Sequence, residues 1–141
     1  MSLDPAVFIA FLIGTATGAA GHYFGEKKSD RRREKEAAKA SLKRFRDLHA
    51  KMPVLMQEMR NDLALDGMAL VREFFVLPSK GVTIGFSSKS RFRYFENEHD
   101  SLREKLDLLL HAGFIVDASP SSTPIFRMEE TFVELLQKEL K

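Results

Sequence analysis

The fold is decided by residues 101–128, which read SLREKLDLLLHAGFIVDASPSSTPIFRM. Leucines at helical spacing predict a helix over residues 97–112 that ends at Gly113, because glycine is a natural helix stop. Two short apolar runs, 114–118 and 124–128, then flank a loop that contains proline and serines. This pattern predicts a β-hairpin that directly follows the helix.

The flanking segments predict further helices and a second hairpin. Residues 129–141 have the leucine and phenylalanine spacing of an amphipathic helix. Residues 53–77 predict a helix with a possible break at 66–67, where aspartate precedes glycine. Residues 82–86 and 91–95 alternate with period two around a four-residue loop, which predicts an antiparallel hairpin.

This order of elements over about residues 54–141 resembles the winged-helix superfamily. The passage from residues 101–112 through Gly113 into the hairpin is similar to the passage from the last core helix into the wing in that superfamily. The hairpin over residues 82–95 departs from the pattern, because a second short helix is expected there. The resemblance implies a domain that binds either DNA, with residues 97–112 in the major groove, or another protein.

Charge opposes the DNA-binding role of that helix. Residues 97–112 contain four acidic and only two basic residues, and a net negative charge repels phosphates. The acidic residues are Glu98, Asp100, Glu104 and Asp107. The best candidates for a nucleic-acid contact are therefore Lys89, Arg91 and Arg93, which alternate with aromatic residues. An ordinary hairpin with one buried and one solvated face has the same alternation.

A basic stalk precedes this domain. Residues 26–46 contain ten basic and four acidic residues, whereas residues 47–141 carry a net charge of −3. Residues 31–52 lack proline and glycine, which predicts a helix. An apolar heptad seam runs through Ala38, Leu42, Phe45, His49, Met52, Met56, Met59 and Leu63. It indicates either a coiled coil or a stripe that packs on the chain's own domain, and Pro53 predicts a break that favours the second reading beyond it.

Residues 5–25 contain no charged side chain. A helix of 21 residues is about 31 Å long, which is close to the thickness of the bilayer hydrocarbon, so the segment predicts a single transmembrane helix. Basic residues follow it and none precede it. The positive-inside rule then places the N-terminus outside and residues 26–141 in the cytoplasm, at the plasma (inner) membrane. A cleavable signal peptide and a buried glycine-rich helix are the alternatives.

Two sets of residues are the predicted membrane sites. The first is a helix-packing face with two G-x-x-x-G pairs, made of Gly14, Gly18, Gly21 and Gly25. The second is a basic cluster that would contact anionic lipids or, as an alternative, nucleic acid. It consists of Lys27, Lys28, Arg31, Arg32 and Arg33.

No motif for catalysis is present. The chain has no cysteine, and its four histidines lack the spacing of metal ligands. There is no phosphate-binding glycine loop and no nucleophile elbow. We therefore predict no catalytic residue, no metal site and no cofactor, with an enzyme of unrecognised type as the remaining alternative.

Together these features predict a mainly helical α+β protein in three parts. These are a transmembrane helix (5–25), a basic helical stalk (26–52) and a winged-helix-like cytoplasmic domain with an extra β-hairpin (53–141). The predicted function is a membrane-anchored protein-interaction or regulatory module that can self-associate. A membrane-tethered DNA-binding regulator is the alternative. The predicted partners are anionic lipids, a protein of unknown identity and a second copy of the chain.

Overall fold

The computed structural model describes residues 5–81 and 89–141, with side chains from residue 27 onward. The chain divides into two compact units, Met1–Ser41 and Leu42–Lys141. The described part of the first unit belongs to one long helix. The described part of the second unit contains the end of that helix, three further helices and a four-stranded sheet.

Helix α1 spans Pro5–Lys51 and helix α2 spans Pro53–Leu63. Met52 separates them with φ −138° and ψ 57°, which lies outside the helical region. Pro53 opens α2, where a missing N–H is harmless because the first N–H groups of a helix lack intrahelical acceptors. The helix predicted for the stalk and the break predicted at Pro53 are both confirmed.

The described strands form one mixed sheet. They are β1 (Glu73–Leu77), β2 (Phe92–Phe95), β3 (Ile115–Asp117) and β4 (Ile125–Met128). Their order across the sheet is β2-β1-β4-β3. β1 and β2 run parallel, whereas β4 is antiparallel to both β1 and β3. The pair β3–β4 is the hairpin predicted for residues 114–128, so that prediction is confirmed.

The helix predicted over residues 53–77 is wrong beyond Leu63, because the last five residues form β1. β1 lies between β2 and β4 and is covered on both faces. Phe74 packs into the main core, and its neighbour Phe75 packs into a smaller cluster on the opposite face. A strand that is buried on both faces has no alternation, so its apolar run reads equally well as a helix.

The described residues do not contain the hairpin predicted over residues 82–95. Its second arm is β2, which pairs in parallel with β1 and places Tyr94 opposite Val76. Its first arm, residues 82–86, lies outside the described residues. The predicted fold class is therefore corrected to a small α+β fold in which four helices accompany a mixed sheet in the part of the chain described.

The predicted membrane span is a second correction to the fold class. Among the described residues, no helix has both the length and the apolar character that crossing a bilayer requires. From Lys27 onward α1 carries exposed charged side chains, which the hydrocarbon core excludes. The same finding overturns the predicted single-pass localisation in the plasma (inner) membrane. The side chains of residues 5–25, including the four glycines of the predicted packing face, lie outside those described.

The core of the second unit is built by its helices and one face of the sheet. The predicted heptad seam is buried at Phe45, Met52, Met56, Met59 and Leu63. Helix α2 packs against α4, which spans Glu130–Glu139. The reading in which the stripe packs on the chain's own domain beyond Pro53 is therefore confirmed.

Helix α3 spans Leu102–His111 and ends in a Schellman motif. The N–H of Phe114 donates to the carbonyl of Leu109 over 3.1 Å, and the N–H of Gly113 donates to that of Leu110 over 3.0 Å. Gly113 has φ +77°, which L-residues with a Cβ rarely adopt. The predicted stop at Gly113 is confirmed.

Replacing Gly113 by alanine should lower the free energy of unfolding by about 1–2 kcal/mol. No atom lies within 4 Å of the added Cβ, so the cost is the left-handed backbone conformation alone. Urea denaturation followed by circular dichroism measures the change. Gly81→Ala is the matched control, because Gly81 has equal space but no positive φ. An equal loss of stability in both variants would contradict this explanation.

Candidate functional site

An open groove of about 710 Å³ lies along the exposed side of α2. The opposite side of α2 is anchored in the core by Leu55, Met56, Met59 and Leu63. The α2 groove is lined by His49, Pro53, Val54, Gln57, Glu58, Asn61 and Asp62. It therefore combines two carboxylates and two amides with an apolar end at Val54, whose surface is 69% exposed.

A buried histidine lies behind the carboxylate of Glu58. His99 is only 6% exposed, and its Nε2 lies 2.6 Å from Oε2 of Glu58. The pair meets the distance of an ion pair but not the geometry of a hydrogen bond, and Nε2 has no hydrogen-bond partner among the described residues. The ring nitrogen and the carboxylate oxygen are therefore in close contact without a hydrogen bond.

A buried tyrosine holds the second carboxylate. Tyr94 is fully buried, and its Oη donates a hydrogen bond of 2.9 Å to Oδ2 of Asp62. Burial raises the pKa of Asp62, and the hydrogen bond from Tyr94 opposes this effect in part. Burial raises the pKa of Tyr94 well above its usual value, and the nearby charges of Asp62 and Glu58 add to the effect.

The raised pKa of Asp62 makes its contribution to stability depend on pH. The folded-state pKa of Asp62 lies above its unfolded-state value. At any pH between these two values, the folded state therefore binds more protons than the unfolded state. This group therefore lowers stability as the pH rises from about 3.8 through the raised pKa. Burial makes the Asp62 carboxylate costly to ionise in the folded state. A cationic ligand in the groove would reduce this cost, because a nearby positive charge favours the ionised form.

The two carboxylates of the α2 groove lie on one face of the helix. Glu58 and Asp62 are four residues apart on α2, so both reach the same groove. No serine or threonine lies among the residues that line the groove. Within the described part of the chain, no three His, Asp or Glu side chains are placed to hold a metal ion.

The predicted nucleic-acid residues lie elsewhere, on and beside β2. Lys89 Nζ and Arg91 Nε donate hydrogen bonds of 2.7 and 2.6 Å to the carboxylate of Glu73 on β1. The Arg91 guanidinium also lies 5.2 Å from the ring centroid of Phe75. Arg93 is exposed. The structure therefore joins two of the three predicted residues in a cluster with an acid, which lowers their net attraction for phosphate.

Hydrogen bonds from Lys89 and then Arg91 lower the pKa of Glu73. Its side chain is mostly buried at the start of the central strand β1. The sequence alone does not reveal this cluster, because it depends on the parallel pairing of β1 with β2.

The predicted lipid-contact residues are all exposed on α1. The structure brings Lys28, Arg31 and Arg32 together along one shallow groove, whereas Lys27 and Arg33 are not part of its lining.

Sequence reasoning missed the residues of the α2 groove. The spacing of Glu58 and Asp62 is a visible signal, since residues four apart share a helix face. The buried partners Tyr94 and His99 have no such signal, because they reach α2 only through the tertiary fold.

The winged-helix resemblance rests on the passage from α3 through Gly113 into the hairpin β3–β4. Those elements occur in the expected order. A shared order of elements alone does not show that two proteins belong to one superfamily. Comparisons of the chain with protein-family models, with curated proteins and with solved structures gave no match. Membership of the winged-helix superfamily therefore stays a prediction.

Proposed function

We propose that the unit Leu42–Lys141 is a protein-interaction module that binds a basic segment of a partner in the α2 groove. The observation that carries this proposal is the pair of carboxylates, Glu58 and Asp62, in one groove. Buried Tyr94 holds the Asp62 carboxylate by a hydrogen bond, and the Glu58 carboxylate lies against buried His99. Positioned acceptors lose little conformational freedom on binding, so a charged donor gains more from them than from mobile surface side chains.

The remaining lining specifies the chemistry of the partner. Val54 is a large exposed apolar side chain and lies beside Pro53 at one end of the groove. The Nε2 of Gln57 donates to Oδ1 of Asn61 over 3.0 Å, which leaves amide groups at the groove surface. A segment with lysine or arginine next to an aliphatic residue matches this surface, because its cation meets the carboxylates while its apolar group covers Val54.

A photo-crosslinking amino acid at position 54 of the full chain tests the proposal in the native cell. We expect a discrete crosslinked protein whose attached peptide is basic, identified by mass spectrometry. Position 70 is the matched control, because Leu70 is also apolar and exposed (87%) but lies outside the groove. Equal crosslinking from both positions, or crosslinks to nucleic acid alone, would contradict the proposal. Crosslinks between two copies would identify the partner as this chain itself.

The contribution of charge is tested by Glu58→Gln in the crosslinking variant. We expect the yield to fall about fivefold or more, since 1 kcal/mol of lost binding energy corresponds to that factor. Glu104→Gln on α3 is the control, because it makes the same change at an exposed position away from the groove. An unchanged yield with Glu58→Gln would mean that the partner is not recognised by its charge.

A further inference from the structure

Five basic side chains share one face of α1 within the first unit, and we call them the basic face. They are Lys28, Arg31, Arg32, Lys35 and Lys39. Successive helical residues turn by about 100°, so this spacing keeps all five within an arc of about 100°. All five are exposed, and together with Glu36 they line a shallow groove of about 470 Å³.

The acidic side chains lie at the border of this face or beyond it. By the same helical spacing, Asp30 and Glu34 fall on other sides of α1. The basic Arg33 also lies outside the basic face. Glu36 lies at the border, where its Oε1 accepts a hydrogen bond of 3.1 Å from Arg32 Nε. Positive charge is therefore concentrated on one side of the helix, although the segment as a whole contains both signs.

This concentration works against the isolated helix. Lys28 and Arg32, Arg31 and Lys35, and Lys35 and Lys39 are each four residues apart, and like charges at that spacing repel. A polyanion that lies along the face removes this repulsion. Phosphates on a nucleic-acid duplex carry about one charge per 1.7 Å of axis, so they can neutralise the whole face, which is about 17 Å long.

We propose that the basic face of α1 binds the phosphate backbone of double-stranded nucleic acid without reading its bases. Residues 27–41 contain no large apolar side chain. A helix that lies on a lipid surface needs an apolar face to insert, so this segment suits a phosphate backbone better than a membrane surface. The proposal is independent of the α2 groove. It leaves out Lys27 and Arg33 of the predicted basic cluster and adds Lys35 and Lys39.

Binding of the full chain to a mixed-sequence 30-base-pair DNA duplex, measured by fluorescence anisotropy at several salt concentrations, tests this. We expect log K to fall with log salt at a slope of about −4 to −5, as five phosphate contacts predict. A duplex of scrambled sequence should bind equally well. The triple variant Arg31→Gln, Lys35→Gln, Lys39→Gln should bind roughly ten- to a hundredfold more weakly, with a slope smaller by about 3.

Two matched controls distinguish an effect of the basic face on DNA binding from an effect of the net charge of the chain. The triple variant Lys51→Gln, Lys138→Gln, Lys141→Gln changes the net charge equally at exposed residues of the other unit and should leave binding nearly unchanged. Arg33→Gln should weaken binding less than Arg31→Gln, which lies two residues away on the basic face. Equal losses in both triple variants would overturn the proposal. So would binding to vesicles of phosphatidylcholine and phosphatidylserine with no DNA binding at low salt.

Discussion

Replacing Phe132 by alanine is expected to lower the free energy of unfolding by about 3–5 kcal/mol, the largest effect of any substitution considered. Phe132 is fully buried on α4, and its ring centroid lies 5.2 Å from that of Phe114 and 6.2 Å from that of Phe45. These three rings join the end of α1, the residue after Gly113 and α4. The loss combines the transfer of the ring to water, the cavity left behind and the lost ring contacts.

Urea denaturation at pH 7, followed by far-ultraviolet circular dichroism, measures this loss, since the chain has no tryptophan. Small domains are stable by only about 5–15 kcal/mol, so Phe132→Leu serves as a milder variant that stays folded. Leu70→Ala is the control, because Leu70 is almost fully exposed and its loss should change stability by less than about 0.5 kcal/mol. A loss below about 1 kcal/mol for Phe132→Ala would show that the three rings do not pack as described.

Glu73→Gln is expected to lower the free energy of unfolding by about 1–3 kcal/mol at pH 7. The change weakens two charge-assisted hydrogen bonds, from Lys89 and Arg91, at a mostly buried position. These bonds lower the folded-state pKa of Glu73 below its usual value of 4.5. Its stabilisation is therefore complete above that pH and is lost as the pH falls through the lowered folded-state pKa.

The measurement is urea denaturation of wild type and variant at pH 7 and near pH 3. The difference between the two proteins should be large at pH 7 and should shrink in acid. Glu134→Gln on α4 is the control, because Glu134 is exposed. A difference for Glu73→Gln that does not change with pH would mean that shape, and not charge, explains the loss.

The sequence pattern behind the membrane prediction covers only part of one helix. Residues 5–25 lack charge, which is typical of a span, but the same helix α1 continues to Lys51 through a highly charged segment. Among the described residues, length and apolar character do not occur together in one helix.

The sequence by itself determined the local elements of this protein. The break at Pro53, the end of α3 at Gly113, the hairpin β3–β4 and the basic face of α1 follow from backbone chemistry or from residues a few positions apart. Proline lacks an N–H, glycine tolerates positive φ, and helical spacing alone decides which charges share a face.

Only the tertiary structure decided the strand at residues 73–77, its parallel pairing with β2 and the α2 groove. An apolar run such as that of β1 fits a helix or a strand, and the neighbours that cover both of its faces select the strand. The contact of Asp62 with Tyr94 joins residues 32 positions apart, and that of Glu58 with His99 joins residues 41 positions apart. Such pairs form only when packing of the whole core brings α2 beside the sheet, so no local pattern encodes them.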